Sequence, residues 1–244
     1  MKLALYLTFP FPDLETFQNY FSILLKHKFD YMELGIPTDH PYYDGPAIRK
    51  THSNAIKHYS DEELKETVNR IGKTGRKSYA LVYYNAFRND ESKFLRKLSD
   101  MGFSGAIVPD LLTDYFQDRA HLSKEMEING LDLIPFVNSS TPDKVIQEMS
   151  EITHGWIYHG LQPSTGIRVP IDTERIVQRI KDVCPEKEII FGFGINSIQM
   201  IKELRDLDAD GIAVGSSLIN SIENRNNEEF ENTLNQLEEG VYGY

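Results

Sequence analysis

Two carboxylates bracket the exit of one apolar segment, and in type and spacing they suit the movement of a proton. Glu33 sits inside the run Phe-Asp-Tyr-Met-Glu-Leu-Gly-Ile at residues 29–36, and Asp44 follows a short loop, directly ahead of Gly45 and Pro46. An ionised Glu in the middle of a buried strand is costly unless it is paired or put to use. Put to use, the pair would serve a bound substrate as proton donor and acceptor. The plainer alternative is that Glu33 meets a buried Arg and that Asp44 caps the next helix. A second group of residues suits an anion. Gly192, Phe193, Gly194 and Ile195 make one Gly-rich turn, and Gly215, Ser216 and Ser217 make another. Glycines let backbone approach a ligand closely, and N–H groups at a helix start favour negative charge. Thr165 and Gly166, in a different loop, would add a third contact.

The elements that must position these residues can be read from hydrophobic patterning. Apolar runs at 3–8, 29–36, 79–84, 104–108, 131–137, 156–159, 188–191 and 211–214 read as eight strands. Helical spacing fills the gaps. Asp13 caps a helix over 14–27, Pro46 opens one to about 58, and Ser60 caps another. Further helices are expected over 91–101, 114–129 and 172–183, with others starting at Thr141-Pro142 and near Asn196-Ser197. Strict alternation of strand and helix argues for a parallel sheet, and eight repeats favour a closed (β/α)8 barrel, the TIM barrel of the α/β class. One domain would then span residues 1–244. An open doubly wound sheet fits less well, because no Gly-rich turn follows the first strand.

In such a barrel the active site lies at the C-terminal ends of the strands. Glu33, Tyr83, Asn85, Asp110, Thr165, Gly166, Gly194, Gly215 and Ser216 collect at those ends. Along the second strand the pleat puts Met32, Leu34 and Ile36 on one face and Tyr31, Glu33 and Gly35 on the other. The first set packs on helices, so Glu33 points into the barrel mouth. The Gly-rich turns follow strands seven and eight, the recurring phosphate site of this fold.

Composition narrows the partners. Twenty-six basic against 37 acidic residues give a net charge of −11, which argues against nucleic acid or an anionic membrane as a partner. A phosphate-bearing small molecule stays open, since backbone N–H groups can hold it. The one cysteine, Cys184, permits no internal disulfide. The apolar run at the N-terminus is shorter than a signal core, so a cytoplasmic address is expected. Among the seven histidines, His40, His52 and His58 form no compact ligand spacing and read as solvated or helix-surface residues.

Several motifs carry a resemblance. They are Glu-Leu-Gly-Ile-Pro at 33–37 with Asp-Gly-Pro at 44–46, Tyr-Tyr-Asn at 83–85 and Gly-Ala-Ile-Val-Pro-Asp-Leu at 105–111. To these add Ser-Thr-Gly-Ile-Arg at 164–168, Gly-Phe-Gly-Ile at 192–195 and Asp-Gly-Ile-Ala-Val-Gly-Ser at 210–216. In order and over nearly the whole chain, this resembles the tryptophan synthase alpha family. The resemblance implies retro-aldol cleavage of indole-3-glycerol phosphate to indole and glyceraldehyde 3-phosphate. It implies Glu33 as the acid/base and Asp44 as acceptor of the indole N–H. Tyr6, Leu81, Tyr83 and Ile107 would line the indole slot, and Thr165, Gly166, Gly194, Gly215 and Ser216 would hold the substrate's phosphate. A raised Glu33 pKa, supplied by desolvation in the barrel mouth, would suit that role.

No metal and no tightly bound cofactor is required; pyridoxal phosphate belongs to the beta subunit in this family. A tryptophan synthase beta subunit is the implied partner. The second loop reads Thr-Asp-His-Pro-Tyr-Tyr at 38–43 and the sixth reads Gly-Leu-Gln-Pro-Ser-Thr-Gly at 160–166, both unlike the usual family pattern. These loops govern closure and beta contact in the family, so a partner of unusual type or a transient complex is expected. Two alternatives stay open at this point: another phosphate-binding barrel, such as an isomerase or a prenyl-glyceryl phosphate synthase, and a weakly active regulator of a beta partner.

Overall fold

Each of the apolar runs forms a strand, and most strand residues are buried on both faces, as a parallel sheet covered by helices requires. The computed structural model describes residues 1–162, 170–195 and 197–243. Its strands are β1 (Lys2–Thr8), β2 (Tyr31–Gly35), β3 (Lys77–Leu81) and β4 (Gly105–Val108), then β5 (Asp132–Asn138), β6 (Ile157–Gly160), β7 (Ile189–Gly192) and β8 (Gly211–Val214). All neighbours pair in parallel, and β8 returns to β1, closing the barrel. The (β/α)8 expectation is met.

Register decides which side chains meet inside. Tyr6 on β1 lies opposite Glu33 on β2, and Glu33 lies opposite Tyr79 on β3. Residues in register share a face, so all three point inward. Toward the strand N-termini the interior is plugged by aromatics. Tyr31 stacks on Trp156 at 5.8 Å between ring centroids, and Tyr79 meets both edge-on. Lys2 and Glu188 pair beneath them. Such a barrel is a packed core rather than a pore, and chemistry is confined to the opposite end.

Several helices start where side chains can take up their first N–H groups. Asp13 accepts from the Thr16 amide, Ser60 from Glu63 and Ser197 from Met200, capping Leu14–Leu24, Asp61–Gly72 and Ile198–Asp206. Two expectations are corrected. The third strand ends at Leu81, because the Asp110 carboxylate accepts the Tyr84 and Asn85 amides at 2.7 and 3.0 Å and turns the chain into the short helix Tyr84–Phe87. The expected helix over 114–129 is divided into Leu111–Asp114, a 3₁₀ turn at Phe116–Asp118, and Arg119–Ile128. Tyr115 stands at the break, with its ring against Tyr84 and its hydroxyl donating to Asn85. Those contacts outweigh the local periodicity.

Candidate active site

Glu33 comes first because the fold treats it least kindly. It is 1 % exposed, and among the described residues its Oε1 has no hydrogen-bond partner. Among the described residues no Arg meets it; Arg49, on the helix that follows Asp44, donates to the carbonyls of Asp44 and Tyr42. Burial alone pushes the Glu33 carboxyl up to about 8. At neutral pH it is therefore a neutral acid holding a proton. It lines a cavity with Tyr6, Asp44, Ile48, Leu81, Tyr158 and Phe193.

Asp44 reaches the same cavity from a loop. Pro37 follows β2, and the chain returns through residues 38–43 to the helix Pro46–Ala55, with Pro at its tolerated start. The residue capping that helix is Gly45, so Asp44 is not spent as a cap. Its Oδ2 instead accepts the Tyr83 hydroxyl at 2.8 Å. Burial raises Asp44 to about 6, while the Tyr83 hydrogen bond and the Arg49 charge pull the other way. Between about pH 6 and 8 one carboxyl is protonated and the other ionised. Two such groups pushed apart in pKa are an acid and an anion ready for different tasks.

Two tyrosines close the cavity walls, and each needs a glycine beside it. A Cβ at Gly35 would stand 2.3 Å from the Tyr6 hydroxyl, and one at Gly192 would stand 2.0 Å from that of Tyr158. Both phenols are held well above the ordinary tyrosine value, chiefly by burial, and stay protonated. Gly192→Ala is expected to drive the Tyr158 ring into the cavity. Overpacking of this kind costs ~1–3 kcal/mol, so substrate KM should rise by about tenfold. An unchanged KM and melting temperature would show that the ring yields freely.

The far end of the cavity is backbone. Gly194, Ile195, Gly215 and Ser216 line it. Gly194 has φ 100°, a conformation glycine adopts without strain. The helix Ser216–Glu223 starts at Gly215 with no side-chain cap, so its first-turn N–H groups face outward from a positive helix end. A helix start of this kind suits an anion, and it stands next to two carboxyl groups. Among the described residues no three His, Cys, Asp or Glu side chains gather to hold a metal ion.

Comparison with known proteins agrees with this geometry. A family model described as tryptophan synthase alpha chain matches residues 1–242. The chain belongs to the tryptophan synthase alpha chain family. It is 30% identical over 221 residues to the tryptophan synthase alpha chain of Saccharolobus solfataricus, covering 91% of this chain and 89% of that one. To the Aquifex aeolicus tryptophan synthase alpha chain it is 30% identical over 250 residues, covering 98% and 92%. A mutant tryptophan synthase alpha-subunit from Pyrococcus furiosus superposes with a TM-score of 0.84 at 25% identity, covering 100% of this chain and 98% of that one.

Within this alpha-chain barrel the residues singled out from sequence are distributed as follows. Glu33, Asp44, Tyr6, Leu81, Gly194, Gly215 and Ser216 line one cavity. Tyr83 stands behind Asp44 as its hydrogen-bond donor and is not part of the lining. Ile107 points inward beside Leu81 but is fully buried outside the cavity lining. Thr165, Gly166 and Arg168 lie outside the described residues. The lining also holds Ile48 and Tyr158, which sequence reasoning missed, and Phe193, Ile195, Ala213 and Val214, which it placed only within motifs. Tyr158 had a signal, since Trp156 and Tyr158 alternate along one strand. His52 is a correction: expected at a solvated surface, it is 0 % exposed and lies 3.5 Å from Asp44.

Proposed function

We propose that the protein cleaves indole-3-glycerol phosphate to indole and glyceraldehyde 3-phosphate in tryptophan biosynthesis, with Glu33 and Asp44 performing the chemistry. The observation that carries the reading is a neutral Glu33 and an ionised Asp44 lining one cavity whose end is a backbone anion cradle. With phosphate at Gly194, Gly215 and Ser216, the indole ring reaches back between Tyr6, Leu81 and Tyr158. Glu33 gives its proton to indole C3, and the positive charge that develops passes to the ring nitrogen. Asp44 accepts that N–H and stabilises the cation. Glu33, now a carboxylate, takes the proton of the glycerol hydroxyl next to C3. The O–H pair becomes the aldehyde carbonyl, the C–C pair returns to the ring, and indole leaves with Glu33 protonated again.

The steps balance with no metal or cofactor in this chain. Thr165 and Gly166 are retained as phosphate contacts in this proposal on the strength of the sequence alone. Members of the family pair with a beta subunit, and a tryptophan synthase beta subunit is the proposed receiver of the indole. A biosynthetic role of this kind belongs in the cytoplasm. Among the described residues no helix is long and apolar enough to cross a membrane.

The purified chain should release indole from indole-3-glycerol phosphate, faster when a beta subunit is added. No indole with or without that partner, from a chain that still binds glycerol phosphate, would leave a phosphate-binding barrel with another reaction.

A further inference from the structure

His52 sits in a hydrogen-bond arrangement whose directions are all fixed. The helix Pro46–Ala55 buries Ile48, Thr51, His52 and Ala55 along one stripe, which places Thr51 and His52 behind the cavity wall. The Thr38 amide donates to His52 Nδ1 at 3.2 Å. An amide can only donate, so Nδ1 carries no proton and the ring's hydrogen is on Nε2. A doubly protonated ring would turn an N–H against the Thr38 N–H.

The hydroxyls beside it are equally constrained. Thr51 donates to the Ile48 carbonyl at 2.7 Å, so it accepts from Thr8 at 2.6 Å. Thr8 then accepts from the Tyr6 hydroxyl at 2.9 Å. The Tyr6 oxygen is left as an acceptor, and it stands 3.5 Å from His52 Nε2. Asp44 Oδ2 stands 3.5 Å from the same nitrogen. The Nε2–H thus donates toward the Tyr6 oxygen, and Asp44 Oδ2 stands within reach of the same nitrogen without a hydrogen bond yet formed. These contacts are at the long limit for hydrogen bonds, and bonds of this kind tighten when substrate seats.

We propose that His52 is a positioning residue, a neutral imidazole whose Nε2–H holds Oδ2 of Asp44 and the Tyr6 hydroxyl so that Asp44 turns its other oxygen to the ring nitrogen of the substrate. Tyr83 holds Oδ2 from the opposite side. Once the Nε2–H closes the 3.5 Å gap as substrate seats, two donors on one oxygen fix the plane of the carboxylate as one donor cannot. The role deepens the proposed cleavage and rests on that reading for its kinetic consequence.

Its test separates a geometric role from a merely structural one. The titratable and charged groups around Asp44 are Tyr83 after β3, Tyr6 on β1, and Arg49 and His52 on the helix Pro46–Ala55, with Glu33 on β2 and Tyr158 on β6 across the cavity. Replacing His52 removes the proposed donor to the Asp44 carboxylate and leaves Tyr83 and Arg49 in place. His52→Leu should lower kcat by about tenfold with little change in KM. It should also move the acid limb of the kcat profile, which Asp44 sets near pH 6, to higher pH. His52→Gln, whose amide N–H falls near the Nε2 position, should restore both. An unmoved acid limb in a folded His52→Leu protein, or a folded Gln variant as impaired as the Leu one, would overturn the proposal.

Because a buried substitution can prevent folding, the ring itself supplies a second measurement. Long-range ¹H–¹⁵N spectra of the wild type should show His52 as the neutral Nε2–H tautomer from pH 5 to 8, with an Nε2 shift that changes in Asp44→Asn. Burial, which pushes this imidazole down to about 4, is consistent with that. An Nδ1–H tautomer, a cationic ring at pH 6, or an Nε2 shift indifferent to Asp44→Asn would sink it. Wild type that releases no indole would defeat the cleavage reading, while the spectra still decide the contact between His52 and Asp44.

Discussion

Glu33→Gln should release indole about 10²–10⁴ times more slowly than wild type, with KM for indole-3-glycerol phosphate nearly unchanged. The amide keeps the volume and shape of the acid, so the cavity, the cradle and the tyrosines stay where they are. What it lacks is a proton to give to indole C3 and a base to receive the hydroxyl proton. Solvent cannot easily stand in, because the side chain is 1 % exposed and shares its cavity with Tyr6 and Tyr158. Asp44→Asn should cost less, since a neutral amide oxygen still accepts from the ring N–H and only the charge is lost. The ordering of the two variants matters as much as the size of either. A Glu33→Gln protein within tenfold of wild type would mean that the proton moves by another route, and Asp44 would become the group to examine. Single-turnover measurements keep product release from masking the chemical step.

Much of this site was legible before any coordinates, and the reasons are physical. The pleat has a period of two, so the placement of Glu33 opposite to the Met32 and Leu34 side followed from alternation alone. That Gly194 and Gly215 line the cavity followed from their places after two successive strands, where a barrel puts its ligand. Alternation gives a direction but not a depth. Ile107 shares the inward direction of Leu81, yet it lies outside the cavity lining. Tyr83 falls beyond the end of its strand, where Asp110 has already turned the chain, and no period applies there. His52 was misplaced for a different reason. Read alone, a histidine in a polar helix belongs on the surface. Read with Ile48, Thr51 and Ala55 at spacings of three and four, it belongs on the buried stripe.

The same substitution that silences the reaction should stabilise the fold, by an amount that depends on pH. In the folded protein Glu33 holds its proton up to about 8, against an ordinary value of 4.5 in the unfolded chain. Between those values the native state binds more protons at this site than the unfolded state does, so stability falls as pH rises. Its full contribution is present below about pH 4.5 and is lost progressively up to about pH 8. The slope for one group is about 1.4 kcal/mol per pH unit, which puts the cost at ~3 kcal/mol by pH 7. Glu33→Gln has no proton to lose and lacks this slope. Asp44, raised to about 6, contributes a decline of the same sign in both proteins and cancels from the difference. Urea unfolding at pH 4, 6 and 8 should therefore give matching midpoints at pH 4 and a widening advantage for the variant above it, with m unchanged. Equal midpoints at pH 8 would show that burial does not hold Glu33 protonated, and the acid would then need another source for its proton at neutral pH. A widening gap would tie the two effects to one cause. The desolvation that would make Glu33 the proposed proton donor at pH 7 is the desolvation that weakens the barrel, and it falls on an Oε1 with no hydrogen-bond partner among the described residues.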